Sequence, residues 1–237
     1  MEGRTTSLTP KSPAVSRRRG VRAPIVALAL ALVLATLWLG RRPLLIAMGS
    51  ALLAEDALTP VDVIVVSNAA ARIDALEAAR LYREGVSRRL IIPEWVVDPL
   101  DAEMRRLGVP YLDTTSLVRT ILERSGVPAA AITVVPGPVE GTDDEVAVAA
   151  EYVRTEELQS VLYLVPRTHS ARARWLLRRL LPAPTRVVVR SGRLDGYTAD
   201  GWWRSRDHSR DVMSEYLRWL NSALLGDAWR SARRADR

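Results

Sequence analysis

The chain of 237 residues has no cysteine, no phenylalanine, a single lysine (Lys11) and only two histidines, His169 and His208. The absence of cysteine excludes disulfide scaffolds, thiolate zinc sites and cysteine nucleophiles. Two histidines are too few for a histidine-rich metal site, so we predict no metal site. The fingerprints GxGxxG, GxxxxGK[ST] and GxSxG are also absent, which argues against a standard dinucleotide site, a P-loop and a hydrolase nucleophile elbow. The sequence identifies no cofactor.

A formal net charge of +7 would be typical of a nucleic-acid-binding protein, but the positive charge is confined to the ends of the chain. Residues 1–42 carry eight basic side chains and one acidic side chain, and residues 227–237 carry four and two. Residues 43–226 hold 22 basic and 24 acidic side chains. Because the body of the chain is nearly neutral, we predict no nucleic-acid partner.

An uncharged segment over residues 23–40 follows a polar, basic stretch that we expect to be a disordered cytoplasmic tail, residues 1–22. Eighteen residues of α-helix cover roughly 27 Å, which suffices to cross a hydrocarbon core. A cleavable signal peptide is the main alternative, but no clear small-x-small cleavage site is present. A buried core helix fits poorly, since the segment is apolar on all sides. We therefore predict a retained transmembrane signal anchor.

The distribution of charge around this span predicts its orientation. Six basic residues precede it and only Arg41 and Arg42 follow closely, which places the N-terminus in the cytoplasm and the remaining chain outside. Residues 41–56 are interpreted as a juxtamembrane segment, in which the apolar residues 44–54 form an interfacial or domain-capping helix. Residues 57–226 are predicted to form an α/β domain, followed by a disordered tail, residues 227–237.

Short β-branched runs alternate with helical stretches through the predicted α/β domain. This alternation predicts an open, mostly parallel, Rossmann-like sheet of about five strands with helices on both faces. The expected strands are residues 61–66, 90–92, 132–135, 161–165 and 186–190.

Ligands of such sheets bind outside the carboxyl ends of the strands, where helix N-termini offer free N–H groups. The loops at that edge are residues 67–69, 93–95, 140–145 and 166–169, and they form the predicted site. Residues 167–193 contain eight arginines and no acidic residue, which suits an anionic ligand or phospholipid headgroups but also a solvated helix face.

The order of several motifs resembles the YdcF-like family (SanA/ElyC-type envelope proteins) from about residue 61 to residue 225. The similar segments are residues 61–66 followed by Arg72, the helix motif AARLYREG at 78–85, GTDDE at 141–145, LVPRTHSARA at 164–173, Trp202-Trp203 and Glu215-Tyr216. Family members usually have Gly-Gly after the first strand and Ser-Gly-Gly after the second. Here these places read Ser67-Asn68-Ala69 and Pro93-Glu94-Trp95, which indicates a diverged member with altered activity.

The resemblance implies a role in the bacterial cell envelope, in peptidoglycan, lipid-carrier or polysaccharide metabolism. An enzyme of this kind would act on an anionic or phosphorylated precursor. The alternative is a non-catalytic ligand-binding or regulatory domain, of the nucleotide or S-adenosylmethionine type, with a degenerate site. Whether the chain is an enzyme stays open at this point.

The candidate catalytic residues are His169 as acid or base, with Asp144 or Glu94 as its acidic partner. A structural alternative is stronger for Thr142 and Glu145, whose spacing predicts a helix capping box. The candidate ligand-binding residues are Ser67, Asn68, Arg72, Thr142, Arg167, Thr168 and Arg172.

Overall fold

The computed structural model describes residues 22–96 and 98–224, except for the side chains of Arg22, Ala23, Leu37 and Pro138. The predicted tail at residues 227–237 and nearly all of the predicted tail at residues 1–22 lie outside these ranges. The chain divides into two compact units, residues 1–44 and residues 45–237.

Helix α1 (Arg22–Ala51) is one apolar helix that continues through Pro43. By length and composition its stretch Pro24–Ala51 is a candidate membrane span, a property that a signal sequence near the N-terminus would share. The predicted 23–40 span and the apolar stretch at 44–54 thus share one helix up to Ala51. An interior proline removes one backbone hydrogen bond, and its ring crowds the carbonyl of the residue four positions earlier.

Five parallel strands form one sheet in the order β3-β2-β1-β4-β5, which confirms the predicted α/β fold class. The chain steps outward from β1 to β3 and then returns to place β4 on the other side of β1. The order therefore reverses between β1 and β4, and such a point is where open α/β sheets bind ligands. The strands are β1 (Val63–Val66), β2 (Leu90–Trp95), β3 (Ile132–Val139), β4 (Ser160–Leu164) and β5 (Arg186–Arg190).

Helices cover both faces of the sheet because its central strands are apolar on both sides. Ile64 and Val66 of β1 pack with α2 and α4, whereas Val63 and Val65 pack with α5 and α6. The helices after α1 are α2 (Ala71–Arg83), α3 (Pro99–Arg106), α4 (Thr114–Arg124), α5 (Thr142–Thr155), α6 (Ser170–Leu180) and α7 (Arg206–Leu224).

Strands β2 and β3 extend further than the sequence predicts, to Trp95 and Val139. A proline follows each of the predicted ends, at residues 92 and 135. Because β3 is an edge strand, its prolines need not donate to a neighbour on the open side. This extension matters for the site, since it carries Trp95 to the carboxyl edge of the sheet.

The last turns of α1 belong to the α/β unit and pack against α7 and the region before it. The Trp202 indole donates to the Leu45 carbonyl at 2.8 Å, and the Tyr216 hydroxyl donates to the Met48 carbonyl at 2.7 Å. Leu52 and Val212 are buried in the same cluster. The end of α1 is therefore a structural part of this unit.

Candidate functional site

A cavity of about 480 Å³ opens at the carboxyl edge of the sheet, a volume suited to a small-molecule ligand. The ends of β1, β2 and β3 approach it from the sheet, the start of α6 from beyond β4, and one face of α7 closes it. Its lining residues are Ala69, Trp95, Glu140, Gly141, Thr142, Asp143, Asp144, His169, Arg172, Arg218, Asn221 and Ser222.

Arg172 lies at the cavity but is almost wholly buried, and its guanidinium group is paired with two carboxylates. It donates to Glu215 through Nε at 2.5 Å and through its terminal NH2 group at 3.1 Å, and it also pairs with Asp143. Ser222 donates to the second oxygen of Asp143 at 2.5 Å. These contacts join α5, α6 and α7. They also provide acceptors for the guanidinium of Arg172, which the sequence analysis assigns to an anionic ligand.

His169 lines the cavity at the start of α6, with 13% of its side chain exposed. Burial, together with the charges of Arg172 and Arg218, lowers its pKa to about 3, so the ring is neutral at physiological pH. Nε2 lies 3.2 Å from a terminal nitrogen of Arg218 and 3.4 Å from Oε2 of Glu215, and the closer contact, with a guanidinium that only donates, favours the tautomer that carries its proton on Nδ1. Nδ1 is buried and has no hydrogen-bond partner among the described residues.

Glu145 is fully buried behind the cavity wall and does not form the predicted capping box. The N-cap of α5 is Gly141, without a side-chain hydrogen bond, so this prediction is wrong for Thr142 and Glu145. The Glu145 carboxylate reaches instead toward the strand ends, where it accepts from Ser67 and Asn68. These hydrogen bonds to Ser67 and Asn68, which lie 78 and 77 positions earlier in the chain, outweigh local capping.

Four of the ten candidate site residues line the cavity: Thr142, Asp144, His169 and Arg172. Asp144 accepts a hydrogen bond from the backbone of Glu140 at 3.2 Å. The remaining six candidates are not among its lining residues.

Ser67 and Asn68 are buried behind the wall, where both bind Glu145. Thr168 is buried, whereas Arg72 is exposed at the start of α2. Glu94 is also exposed and lines a second groove of about 670 Å³, which Trp95 borders as well.

Arg167 points to a different part of the domain. Its Nε lies 3.2 Å from Glu55, and Glu55 also pairs with Arg190. Arg174 pairs with Asp56 at 2.7 Å. Three arginines of the basic segment at 167–193 therefore bind acidic residues more than 100 positions earlier. For them, a structural role replaces the predicted contact with an anionic ligand.

Sequence reasoning missed the contribution of α7, which supplies Arg218, Asn221 and Ser222 to the cavity and Glu215 to its floor. A signal was present, since Glu215 falls on the buried face of this amphipathic helix, where a charged residue requires a partner. Asp74 gives the same signal on α2: it is fully buried, and neither carboxylate oxygen has a partner among the described residues.

No group of three or more His, Asp or Glu side chains within residues 22–96 and 98–224 is arranged to hold a metal ion. Comparison of the chain with protein-family models, curated proteins and solved structures gives no match. The resemblance to the YdcF-like family therefore stays a prediction from sequence motifs, and the site must be interpreted from its own geometry.

Proposed function

We propose that the chain is a membrane-anchored, extracytoplasmic α/β protein of the cell envelope that binds a small polar ligand in the cavity at His169. The observation that carries the proposal is the composition of this cavity, which is lined by the ion pair of Arg172 with Asp143 and by a buried, neutral His169. The envelope role rests on the YdcF-like motifs and on the charge distribution around α1.

The state of His169 favours binding over catalysis. A general base works best when its pKa lies near the operating pH, and the pKa of His169 is lowered to about 3. The neutral ring instead presents an uncharged polar surface to the cavity.

The charges on the lining favour a ligand with a positive centre. Glu140, Asp143 and Asp144 line the cavity together with Arg172 and Arg218, and Arg172 is already shared between Asp143 and Glu215. A polyphosphate would meet more carboxylates than cations here. S-adenosylmethionine, with its sulfonium, has the complementary charge, and the indole of Trp95 suits either a cation or a flat ring.

Calorimetric titration of the full chain in detergent micelles tests this proposal, with S-adenosylmethionine as the probe. Asp144→Asn should weaken binding about tenfold, equivalent to roughly 1.4 kcal/mol. Glu151→Gln is the matched control, because Glu151 lies on the same helix and its side chain is 66% exposed. Unchanged affinity in Asp144→Asn, or the absence of saturable binding, would contradict the charge argument.

A second candidate function is action on an anionic envelope precursor, and Arg218 is the observation that favours it. Its side chain is 53% exposed beside His169, close to the N-terminus of α5. A bound anion would raise the pKa of His169 toward the range of a general acid or base. Saturable binding of inorganic pyrophosphate, abolished by Arg218→Met, would select this function over the first.

A further inference from the structure

Four hydrogen-bond donors converge on the carboxylate of Glu145 from different parts of the sheet edge. Oε1 accepts from the Asn68 backbone N–H and from the Trp95 indole N–H, both at 2.7 Å. Oε2 accepts from the Ser67 hydroxyl at 2.7 Å and from the Tyr163 hydroxyl at 3.1 Å. An ionised carboxylate is an acceptor only, and this arrangement offers two donors to each of its oxygens.

The donors are contributed by β2, by β4 and by the loop after β1, whereas the acceptor comes from α5. The pocket is therefore built by elements other than the helix that fills it. Ser67, Tyr163 and Glu145 are fully buried, and no basic side chain is ion-paired with Glu145 in the described part of the chain. Burial raises the pKa of Glu145, and the four donors oppose this effect because they stabilise the charged form, as the dipoles of an oxyanion hole do.

We propose that these four donors form an oxyanion-binding cradle and that the carboxylate of Glu145 is its resident internal ligand. The chain thus supplies its own anion at the sheet edge, next to the reversal of strand order and against the loop after β1, which lacks glycine. The cradle takes a planar carboxylate of the size of acetate when the side chain is absent. In the intact protein it is closed to free anions.

The cradle also has a role for the cavity. Trp95 lines the 480 Å³ cavity and borders the second groove, and its indole is fixed by the bond to Oε1. Glu145 is thus a positioning residue that holds this wall through Trp95. This inference does not depend on which ligand occupies the cavity.

The test uses Glu145→Ala in the full chain, because this substitution removes a fragment that acetate replaces. Thermal unfolding and tryptophan fluorescence are measured with increasing sodium acetate, with acetamide as the neutral isostere, at constant ionic strength and neutral pH. At ten times its dissociation constant, acetate should lower the unfolding equilibrium constant of the variant about elevenfold. Acetamide should have little effect.

Wild type and Glu145→Gln are the matched controls, because in both the cradle is filled and acetate should not act. If Glu145→Ala folds only in acetate, the refolded yield in acetate against acetamide gives the same comparison. Rescue by acetamide equal to that by acetate would overturn the proposal. So would an equal effect of acetate on the wild type, or a Glu145→Gln variant as stable as the wild type with unchanged fluorescence.

Discussion

Replacing Arg172 with methionine tests whether the buried ion network holds the cavity floor. The substitution keeps most of the side-chain volume but removes the partner of Glu215, which is fully buried. Arg218 lies 3.7 Å from Glu215 with 53% of its side chain exposed, and the neutral His169 lies 3.4 Å from it, so neither replaces the two buried hydrogen bonds from Arg172. Asp143 retains Ser222 and partial contact with solvent.

Breaking a buried pair by removing one partner costs about 3–5 kcal/mol, because the remaining charge stays buried without compensation. For a domain of this size, such a loss lowers the unfolding temperature by roughly 6–20 °C. Arg218→Met is the control, and an exposed pair of this kind contributes about 0–1 kcal/mol. The double variant Arg172→Met/Glu215→Leu should regain most of the loss, since it leaves no buried charge.

The loss should depend on pH in a defined direction. Burial raises the pKa of Glu215, and Arg172 opposes this effect, so the variant has a still higher pKa in the folded state. A carboxyl whose pKa is higher in the folded state than in the unfolded state prefers to be protonated in the fold. The loss of stability is therefore small below the pKa that Glu215 has in the unfolded chain, and it grows as the pH rises. Thermal unfolding of the full chain in detergent, followed by near-UV circular dichroism from pH 4 to pH 8, measures this. A loss below about 1 kcal/mol at pH 8, or one equal to that of Arg218→Met, would refute the argument.

Two further predictions concern packing and a buried carboxyl. A Cβ added at Gly49 would lie 2.7 Å from Cδ1 of Trp202 and 3.0 Å from the Ala199 carbonyl oxygen. Gly49→Ala should therefore lower the unfolding temperature by an amount equivalent to about 1–3 kcal/mol, whereas Gly40→Ala, in the same helix with no neighbour within 4 Å, should not. Burial raises the pKa of Asp74 well above its ordinary range. Asp74 therefore destabilises the folded state once the pH rises above the pKa that this carboxyl has in the unfolded chain. Asp74→Asn should be more stable than the wild type at pH 8 and similar at pH 4 in the same assay, and equal stability at pH 8 would contradict the burial argument.

The sheet was predictable because its signals are local. The run VIVV of β1 is β-branched and apolar on both sides, and only a strand covered by helices on both faces buries it completely. The ends of β2 and β3 were less predictable, since Pro136 and Gly137 are turn signals anywhere except at a sheet edge. Which strand lies at the edge depends on the strand order, and no local motif encodes that order.

The site was predictable in its location but less so in its chemistry. His169 and Asp144 follow strands, so the fold class alone brings them to one edge. Arg172 and Glu145 also reach this edge, but their partners lie 43 and 78 residues away, on elements whose packing the sequence does not reveal. Local rules therefore assign an anion contact to Arg172 and a cap to Glu145, whereas long-range pairing gives both a structural role.

We propose that α1 holds the α/β domain outside the cytoplasm. Because the chain has no cysteine, a single introduced cysteine is its only thiol, and labelling that thiol tests the topology directly. Single cysteines are introduced at Ala130, which is exposed in the α/β unit, and at Ser7, which precedes the span. Cells expressing each variant are treated with a membrane-impermeant maleimide before and after permeabilisation of the inner membrane. Ala130→Cys should be labelled before permeabilisation and Ser7→Cys only afterwards. The reverse pattern would contradict it.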